Sequence, residues 1–231
     1  MSNPHQRHLG ELLDEIRLDY RRTEFLTGKS RPDQALLTAM QGVPRHRFVP
    51  ESEQAAAYLN HPLAIGHGQT ISQPYIVALM TDLLAPQQDH TVLEIGTGSG
   101  YQAAVLSRMV QQVYSIEIIP ELAAVAEQRL HDLSFTNVTV KHGDGYLGWP
   151  EFAPFDGIMV TAAAPKIPQP LLEQLKPGAR LVIPVGYPYG SQRLQLVKKD
   201  SNGDITIKNI LDVRFVPMTG KISDDPQDDP Q

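Results

Sequence analysis

The stretch that decides the fold reads Val92-Leu93-Glu94-Ile95-Gly96-Thr97-Gly98-Ser99-Gly100. A short apolar run followed at once by closely spaced glycines is typical of a buried strand that turns directly into a helix. Glycines at such a junction let the backbone approach a ligand, because they carry no Cβ. In an open α/β sheet this junction lies at the carboxyl edge, where ligands bind. The stretch predicts a ligand-binding turn, with a tight turn of small packing residues as the alternative.

The spacing of these glycines narrows the class of ligand. A dinucleotide fingerprint, Gly-x-Gly-x-x-Gly, would need a third glycine at position 101, where the chain has Tyr101. A phosphate-binding loop would need Gly-Lys-Ser/Thr, which the segment lacks. The closer spacing after an acidic strand residue fits a nucleoside without a pyrophosphate better.

Outward from this stretch, apolar strands alternate with helices. The pattern predicts strands over residues 91–95, 112–116, 138–141, 157–160, 181–185, 194–198 and 205–211. Helices are predicted between them over 101–110, 120–133 and 170–175. Such alternation indicates an α/β fold: a doubly wound, mostly parallel, seven-stranded Rossmann-like sheet with an antiparallel edge.

The N-terminal part is predicted to be mainly helical, with helices over 9–25, 32–40, 51–59 and 73–84 and loops elsewhere. It is expected to pack on the sheet or to cover its ligand cleft. No clear linker separates it, so residues 1–223 are predicted to form one domain, with 1–85 as the helical part and 86–223 as the sheet. Residues 224–231 read DDPQDDPQ and are predicted to be a disordered tail.

Two acidic residues follow the next two strands. Glu117 ends the second strand, where a carboxylate can accept both hydroxyls of a ribose; a solvated strand-end carboxylate is the alternative. Asp144, between Gly143 and Gly145, follows the third strand and could accept from an exocyclic amine such as that of adenine. An ordinary turn is the alternative there. Three such features at three successive strand ends favour a nucleoside site.

Composition excludes several classes of function. The 231 residues include no cysteine, which excludes disulfides, thiolate zinc sites, iron–sulfur clusters and cysteine nucleophiles. The eight histidines show no metal-binding spacing, so no metal is expected. A net charge of −6 disfavours a nucleic-acid partner. No apolar run is long enough to span a membrane, and residues 1–10 lack the apolar core of a secretory signal, so a cytoplasmic protein is expected.

Several motifs, in order along the chain, resemble one family of class I S-adenosylmethionine-dependent methyltransferases, the protein-L-isoaspartate O-methyltransferases. The likeness covers about residues 35 to 220. The motifs are Arg47-Phe48-Val49-Pro50, Gln69-Thr70-Ile71-Ser72-Gln73-Pro74, residues 93–102, Gly143-Asp144-Gly145, Pro154-Phe155-Asp156 and Phe215-Val216-Pro217. The glycine motif is shared by the whole class, whereas the Thr-Ile-Ser-Gln-Pro element is much more specific to the family.

The resemblance implies methyl transfer from S-adenosyl-L-methionine, with S-adenosyl-L-homocysteine as product. The acceptor would be the free α-carboxyl of L-isoaspartyl residues in damaged proteins and peptides, and the enzyme a monomer. The ester would then re-form a succinimide, from which part of the chain returns to normal aspartate. A class I methyltransferase acting on a small molecule or another carboxyl acceptor stays open as the alternative, as does a non-catalytic module that only binds the cofactor.

The resemblance also implies site residues. Ser72 matches the active-site serine of the family. The implied cofactor-binding residues are Gln69, Thr70 and Ile71 in the wall, Gly96, Thr97, Gly98, Ser99 and Gly100 at the methionine part, Glu117 and Ile118 at the ribose, Asp144 and Gly145 at the adenine, and Thr219 near the site. One departure is Val77, where some members have a histidine, so that contact is not carried over.

The chemistry is consistent with the residue types near Ser72. An acceptor carboxylate is already ionised near pH 7, so methyl transfer to it needs no general base. The Ser72 hydroxyl could orient this carboxylate, and it is not expected to be a covalent nucleophile because no Gly-x-Ser-x-Gly surrounds it. A helix N-cap before Pro74 is the alternative role.

Overall fold

The computed structural model describes residues 4–187 and 190–220, and two sheets run through them. The smaller is an antiparallel hairpin of β1 (Leu63–Gly66) and β2 (Gln69–Ile71). The larger has seven strands: β3 (Thr91–Ile95), β4 (Gln112–Glu117), β5 (Val138–His142), β6 (Phe155–Val160), β7 (Leu175–Gly186), β8 (Gln192–Lys199) and β9 (Ile205–Val213).

The strand order of the large sheet is β5-β4-β3-β6-β7-β8-β9. The first five of these run parallel, whereas β8 is antiparallel to both of its neighbours. The chain leaves β3 in one direction through β4 and β5, then returns to place β6 on the other side of β3. This reversal makes the carboxyl end of β3 the switch point at which such sheets bind ligands. The predicted fold class is confirmed.

Helices cover both faces of this sheet. The α-helices are α1 (Pro4–Thr27), α2 (Gln34–Gln41), α3 (Pro74–Leu84), α4 (Tyr101–Ser107), α5 (Pro120–Asp132) and α6 (Gln169–Glu173). Short 3-10 segments lie at Arg45–Phe48, Glu51–Ala56, Gly145–Leu147 and Pro150–Phe152.

Alternation along the strands divides the core into two clusters. Val92 packs in one cluster with the N-terminal helices, whereas the next residue, Leu93, packs in the other with Leu171 of α6. Successive strand side chains point to opposite faces, so each strand contributes to both clusters. The sheet is therefore buried on both sides, as expected for parallel strands.

The N-terminal helices pack against one of these faces. Helix α1 buries Leu12, Ile16 and Tyr20 completely or nearly so. Its Thr23 hydroxyl lies 2.5 Å from the hydroxyl of Tyr75 in α3, which fixes the two helices to each other. The predicted helical cover therefore lies on the sheet, although α1 begins well before the predicted start at residue 9.

Several local predictions were wrong. The helix predicted over 51–59 is a 3-10 segment that ends at Ala56, and the helix predicted over 101–110 ends at Ser107. The hairpin β1–β2 lies where loops are predicted, because its strands have only four and three residues and are largely exposed. Helix α2 begins at Gln34 rather than at residue 32, since the Asp33 carboxylate accepts from the Ala35 amide and caps the helix. Strand β7 begins at Leu175 rather than at residue 181, with an irregular register opposite Phe155 and Gly157.

Within the described ranges, no helix has the length and apolar character needed to cross a membrane. The same residues contain no group of three or more His, Cys, Asp or Glu side chains arranged to hold a metal ion. The predicted acidic tail, residues 224–231, lies outside the described residues.

Candidate active site

A cleft opens at the carboxyl edge of the sheet, where β3, β4 and β6 end. The empty space within it, including the part open to solvent, is about 590 Å³. Its lining residues are Gln69, Thr70, Ile95, Gly96, Gly98, Ile116, Glu117, Ile118, Ile119, Gly145, Thr161, Ala162, Val216, Pro217, Met218 and Thr219. The hairpin, three strand ends and the segment after β9 thus meet at one place.

The glycine loop forms the floor of the cleft, and Gly96 is a position that requires glycine. Gly96 has φ +92°, and a Cβ there would lie 2.5 Å from the Thr161 hydroxyl oxygen. That hydroxyl donates to the Gly96 carbonyl at 2.6 Å. Gly98 has φ +52°, and a Cβ there would meet only Ile65, at 3.5 Å. The space above Gly98 is therefore open toward the cleft.

Glu117 connects the glycine loop to the turn after β4. Its side chain is buried, with 5% of the residue exposed. Oε2 accepts from the Gly98 amide at 2.7 Å, and Oε1 accepts from the Ile119 amide at 3.0 Å. A carboxylate has about four lone-pair sites, so each oxygen retains the capacity to accept another hydrogen bond. Glu117 can therefore bind two ligand hydroxyls while holding the loop.

A second carboxyl, Glu94, lies behind the loop and out of solvent. The Thr97 and Ser115 hydroxyl oxygens are 2.6 Å apart, and the Ser115 hydroxyl donates to Glu94 Oε2. Glu94 is fully buried, and its Oε1 has no hydrogen-bond partner within the described part of the chain. Burial raises the pKa of Glu94 to about 8; the Ser115 hydrogen bond opposes this rise and the charge of Glu117 adds to it. No role was predicted for this residue.

Asp144 and Gly145 follow β5 at one end of the cleft. The Asp144 side chain accepts from the Tyr146 amide at 3.0 Å and caps the 3-10 segment that begins at Gly145. Gly145 lines the cleft, whereas Asp144 lies beside it and is not part of the lining. A Cβ on Gly220 would lie 2.3 Å from Asp144 Oδ1, so the chain after Thr219 packs closely against this carboxylate.

Ser72 directly follows β2 and is half-buried. Its hydroxyl makes no hydrogen bond within residues 4–187 and 190–220, and it does not line the cleft formed by its neighbours Gln69 and Thr70. The N-cap of α3 is Gln73, which makes no capping bond through its side chain. The alternative role of Ser72 as the helix cap is therefore wrong.

The segment after β9, residues 215–220, closes one side of the cleft; we call it the strap. Ala163 accepts from the Met218 amide at 2.7 Å and donates to the Val216 carbonyl at 2.8 Å. The Tyr146 hydroxyl donates to the Met218 carbonyl at 3.2 Å. These bonds hold the strap across the ends of β5 and β6, far from its own strand in the sheet.

The structure brings eight of the fourteen predicted site residues into the lining: Gln69, Thr70, Gly96, Gly98, Glu117, Ile118, Gly145 and Thr219. The other six lie behind or beside it: Ile71, Ser72, Thr97, Ser99, Gly100 and Asp144. The roles of all fourteen stay predictions.

Sequence reasoning missed eight lining residues: Ile95, Ile116, Ile119, Thr161, Ala162, Val216, Pro217 and Met218. The Phe215-Val216-Pro217 motif is a usable signal for these residues, because it is part of the family resemblance and two of its residues line the cleft.

The switch point, the glycine loop and the buried strand-end carboxylate together define a class I S-adenosylmethionine-dependent methyltransferase. Residues 26–223 match the family model "Protein-L-isoaspartate(D-aspartate) O-methyltransferase". The chain belongs to this family. Its cofactor is S-adenosylmethionine, and its reaction is methyl transfer to isoaspartyl residues of proteins.

Relatives with this name are similar over nearly the whole chain. The chain is 56% identical to protein-L-isoaspartate O-methyltransferase 2 of Syntrophobacter fumaroxidans over 218 residues, which cover 94% of this chain and 88% of the relative. It is 58% identical to the protein of the same name from Nitrosococcus oceani over 212 residues, which cover 91% of this chain and 96% of the relative.

Solved structures agree with the fold. One protein-L-isoaspartate O-methyltransferase superposes with a TM-score of 0.78 at 28% identity, covering 90% of this chain and 66% of that one. A putative enzyme of this kind from Plasmodium falciparum, in complex with S-adenosyl-L-homocysteine, has a TM-score of 0.76 at 24% identity, covering 94% and 99%. The second comparison supports the architecture alone.

The residues present fit the cofactor. The open space above Gly98 leaves room for a ligand where any other residue would place a side chain. Glu117 offers free acceptor capacity to ribose hydroxyls, and Ile116, Ile119 and Met218 offer apolar surface to an adenine ring. The cleft thus combines apolar walls with a few polar groups, as sites for cofactors generally do.

Proposed function

We propose that this cleft is where the chain methylates the free α-carboxyl of L-isoaspartyl residues, with Ser72 at the acceptor side. The observation that carries the proposal is the convergence of the hairpin end, the glycine loop and Glu117 on one cleft. The hairpin leads directly into Ser72, so cofactor-side and acceptor-side residues adjoin each other.

The contacts of the cleft support the proposed cofactor residues. Gly96 and Gly98 would face the methionine part, and Glu117 would accept the ribose hydroxyls. Gly145 would lie against the adenine, with Asp144 beside it. S-adenosylmethionine, when bound, supplies an electrophilic methyl group on a sulfonium. The chain has only to hold the acceptor in line with it and to exclude water.

The acceptor requires orientation rather than a base. Its carboxylate is ionised near pH 7, so no proton has to be removed before the new bond forms. The Ser72 hydroxyl, which makes no hydrogen bond within the described ranges, is available to donate to one carboxylate oxygen. The other oxygen would then be free to attack. Ser72 is thus proposed as the orienting group, and no covalent step is assigned to it.

We further propose a monomeric, cytoplasmic enzyme in which residues 1–223 form a single methyltransferase domain and which has neither a nucleic-acid nor a membrane partner. The burial of α1 against α3 supports one domain rather than two. The net charge of −6 supports a protein rather than a nucleic-acid substrate.

The test compares labelled-methyl transfer to a peptide that contains isoaspartate and to the same peptide with aspartate, using the parent protein and Ser72→Ala. We expect transfer only to the isoaspartyl peptide, and a turnover about ten- to a hundredfold lower in the variant, as for one lost orienting hydrogen bond. Cofactor affinity should change by no more than a few-fold. Equal transfer to both peptides would refute the acceptor assignment, and normal turnover in the variant would remove Ser72 from the site.

A further inference from the structure

Arg45 is a charged side chain in the interior of the protein, close to the acceptor side of the cleft. It begins the 3-10 segment Arg45–Phe48, and only 1% of the residue is exposed. Within residues 4–187 and 190–220, no carboxylate pairs with its guanidinium. Burial lowers the pKa of Arg45 to about 10, so the group keeps its charge at neutral pH. An apolar residue would fill this space at a lower desolvation cost.

The guanidinium joins the two ends of one chain segment. Nε donates to the Ala57 carbonyl at 2.9 Å, and Nη2 donates to the Ser72 carbonyl at 2.8 Å. Between these two residues lies the hairpin β1–β2, which places Gln69 and Thr70 in the cleft. One planar group therefore fixes both ends of the wall that faces the cofactor.

The same guanidinium also contacts the cofactor loop. Its Cζ lies 4.8 Å from the ring centroid of Tyr101, the residue that follows Gly100 and begins α4. Arginine is suited to this position because its donors have a fixed fork geometry and its plane stacks on aromatic rings. Lysine would keep the charge but has a single nitrogen, which cannot reproduce the fork.

We propose that Arg45 is a positioning residue for methyl transfer, which fixes the Ser72 backbone relative to the cofactor loop. This inference rests on the proposed role of Ser72 at the acceptor side. Arg45 does not line the cleft, so it acts through Ser72 and the hairpin rather than on the substrate. A role in stability alone would not depend on whether residue 72 carries a hydroxyl.

A double-mutant cycle separates the two roles. The variants are Arg45→Lys, Ser72→Ala and the double variant, assayed with the isoaspartyl peptide at saturating cofactor and at a temperature where all are folded. We expect Arg45→Lys to lower kcat/KM about tenfold in the parent background and by less than about twofold in the Ser72→Ala background, because the misplaced hydroxyl is then already absent. Arg45→Gln, an uncharged donor, provides a second cycle if the lysine variant does not fold.

Arg180→Lys is the matched control. Arg180 donates to the Leu83 carbonyl at 3.1 Å, at the opposite end of α3 from Ser72. The Arg180→Lys variant should have a kcat/KM within about twofold of the parent value, even if its melting temperature falls. An equal Arg45 effect in both backgrounds, or none in the parent background, would overturn the positioning role alone. Full activity in Ser72→Ala would overturn both this role and the proposed function of Ser72.

Discussion

At the scale of single residues, Glu94 and Glu117 are two buried carboxyls near the glycine loop that differ in their hydrogen-bond partners and in their access to the cleft. Glu117 accepts from two backbone amides and faces the cleft, so its oxygens are within reach of a ligand there. Glu94 is fully buried and has one hydroxyl partner within the described residues. The residue type is the same at both positions, and the difference in role comes from the groups around each one.

Removing the Glu117 carboxylate should weaken cofactor binding. Hydrogen bonds to a charged group contribute about 1.5–3 kcal/mol, so Glu117→Ala should weaken binding of S-adenosylhomocysteine by roughly one to two orders of magnitude. Calorimetry measures this directly. Glu121→Ala, at an exposed position in the first turn of α5, is the matched control and should bind normally. Unchanged affinity in Glu117→Ala would exclude the residue from the site.

Glu94 should make the stability of the folded state depend on pH. Its folded pKa of about 8 exceeds that of an unfolded chain, about 4.3, so the native state binds the extra proton between these values. The free energy of unfolding should therefore decrease as pH rises through this range. Glu94→Gln stays uncharged and should lose this part of the slope.

Urea unfolding at pH 5.5 and pH 8.5 checks this expectation. The parent protein should lose more stability between the two than Glu94→Gln does. Glu127→Gln, at an exposed position on α5, should behave like the parent. Parallel pH curves for the parent and Glu94→Gln would show that the Glu94 carboxyl is not the titrating group.

At the scale of elements, the strap forms one side of the cleft although it is neither a helix nor a strand of the main sheet. Gln192 of β8 is 4% exposed. Its side-chain Nε2 donates to the Phe215 backbone carbonyl at 3.1 Å, and its Oε1 accepts from the Phe215 backbone N–H at 2.6 Å. This two-point contact sets where the strap leaves the sheet and crosses toward the cleft.

Breaking that contact should loosen the cleft. Gln192→Leu removes both side-chain partners of the Phe215 backbone, which should lower the free energy of unfolding by about 1–3 kcal/mol. Cofactor affinity should also fall several-fold, because Val216 to Thr219 lose their fixed positions. Gln195→Leu, on the same strand, loses only an exposed bond to Asn209 and should change stability by less than about 0.5 kcal/mol. Chemical denaturation and calorimetry provide both quantities. Normal affinity in Gln192→Leu would show that the strap does not need this anchor.

Elements of the sheet could be predicted because β3 and β6 contain short apolar runs, β4 ends at an acidic residue and β5 is followed by glycine. The hairpin β1–β2 could not, since its strands have only four and three residues, of which only Leu63 and Ile71 are buried. Of the strap, only Thr219 was predicted near the site, and its neighbours Val216, Pro217 and Met218 were not. The position of the strap depends on bonds to Ala163 and Tyr146, which are distant in the chain, so no local pattern records them.

At the scale of the whole molecule, the helical cover and the sheet share a core. Ile16 of α1 is fully buried in the same cluster as Val92 of β3. Lys29, just after α1, forms an ion pair with Asp82 of α3 at 2.7 Å. These contacts are those expected of parts that unfold together rather than as separate domains.

Weakening the α1 interface should therefore destabilise the entire protein. Ile16→Ala should cost about 2–5 kcal/mol, as for a large-to-small change in a core, with one transition seen by both near- and far-ultraviolet circular dichroism. Leu18→Ala, on the same helix but 37% exposed, should cost much less. Two separate transitions would show that residues 1–85 and the sheet are independent units.

The cleft is built from segments that are far apart in the chain, and this determines when a growing chain can first bind the cofactor. Its walls come from the hairpin at Gln69, the glycine loop, the end of β4, and the strap that ends at Thr219. A nascent chain can assemble β3, β4 and their helices early, because these are near neighbours in sequence. It still lacks one side of the cleft until the strap has left the ribosome. A nascent chain whose strap has not yet emerged should therefore be unable to hold the cofactor, and ligand stabilisation should begin only once the strap has folded onto the sheet.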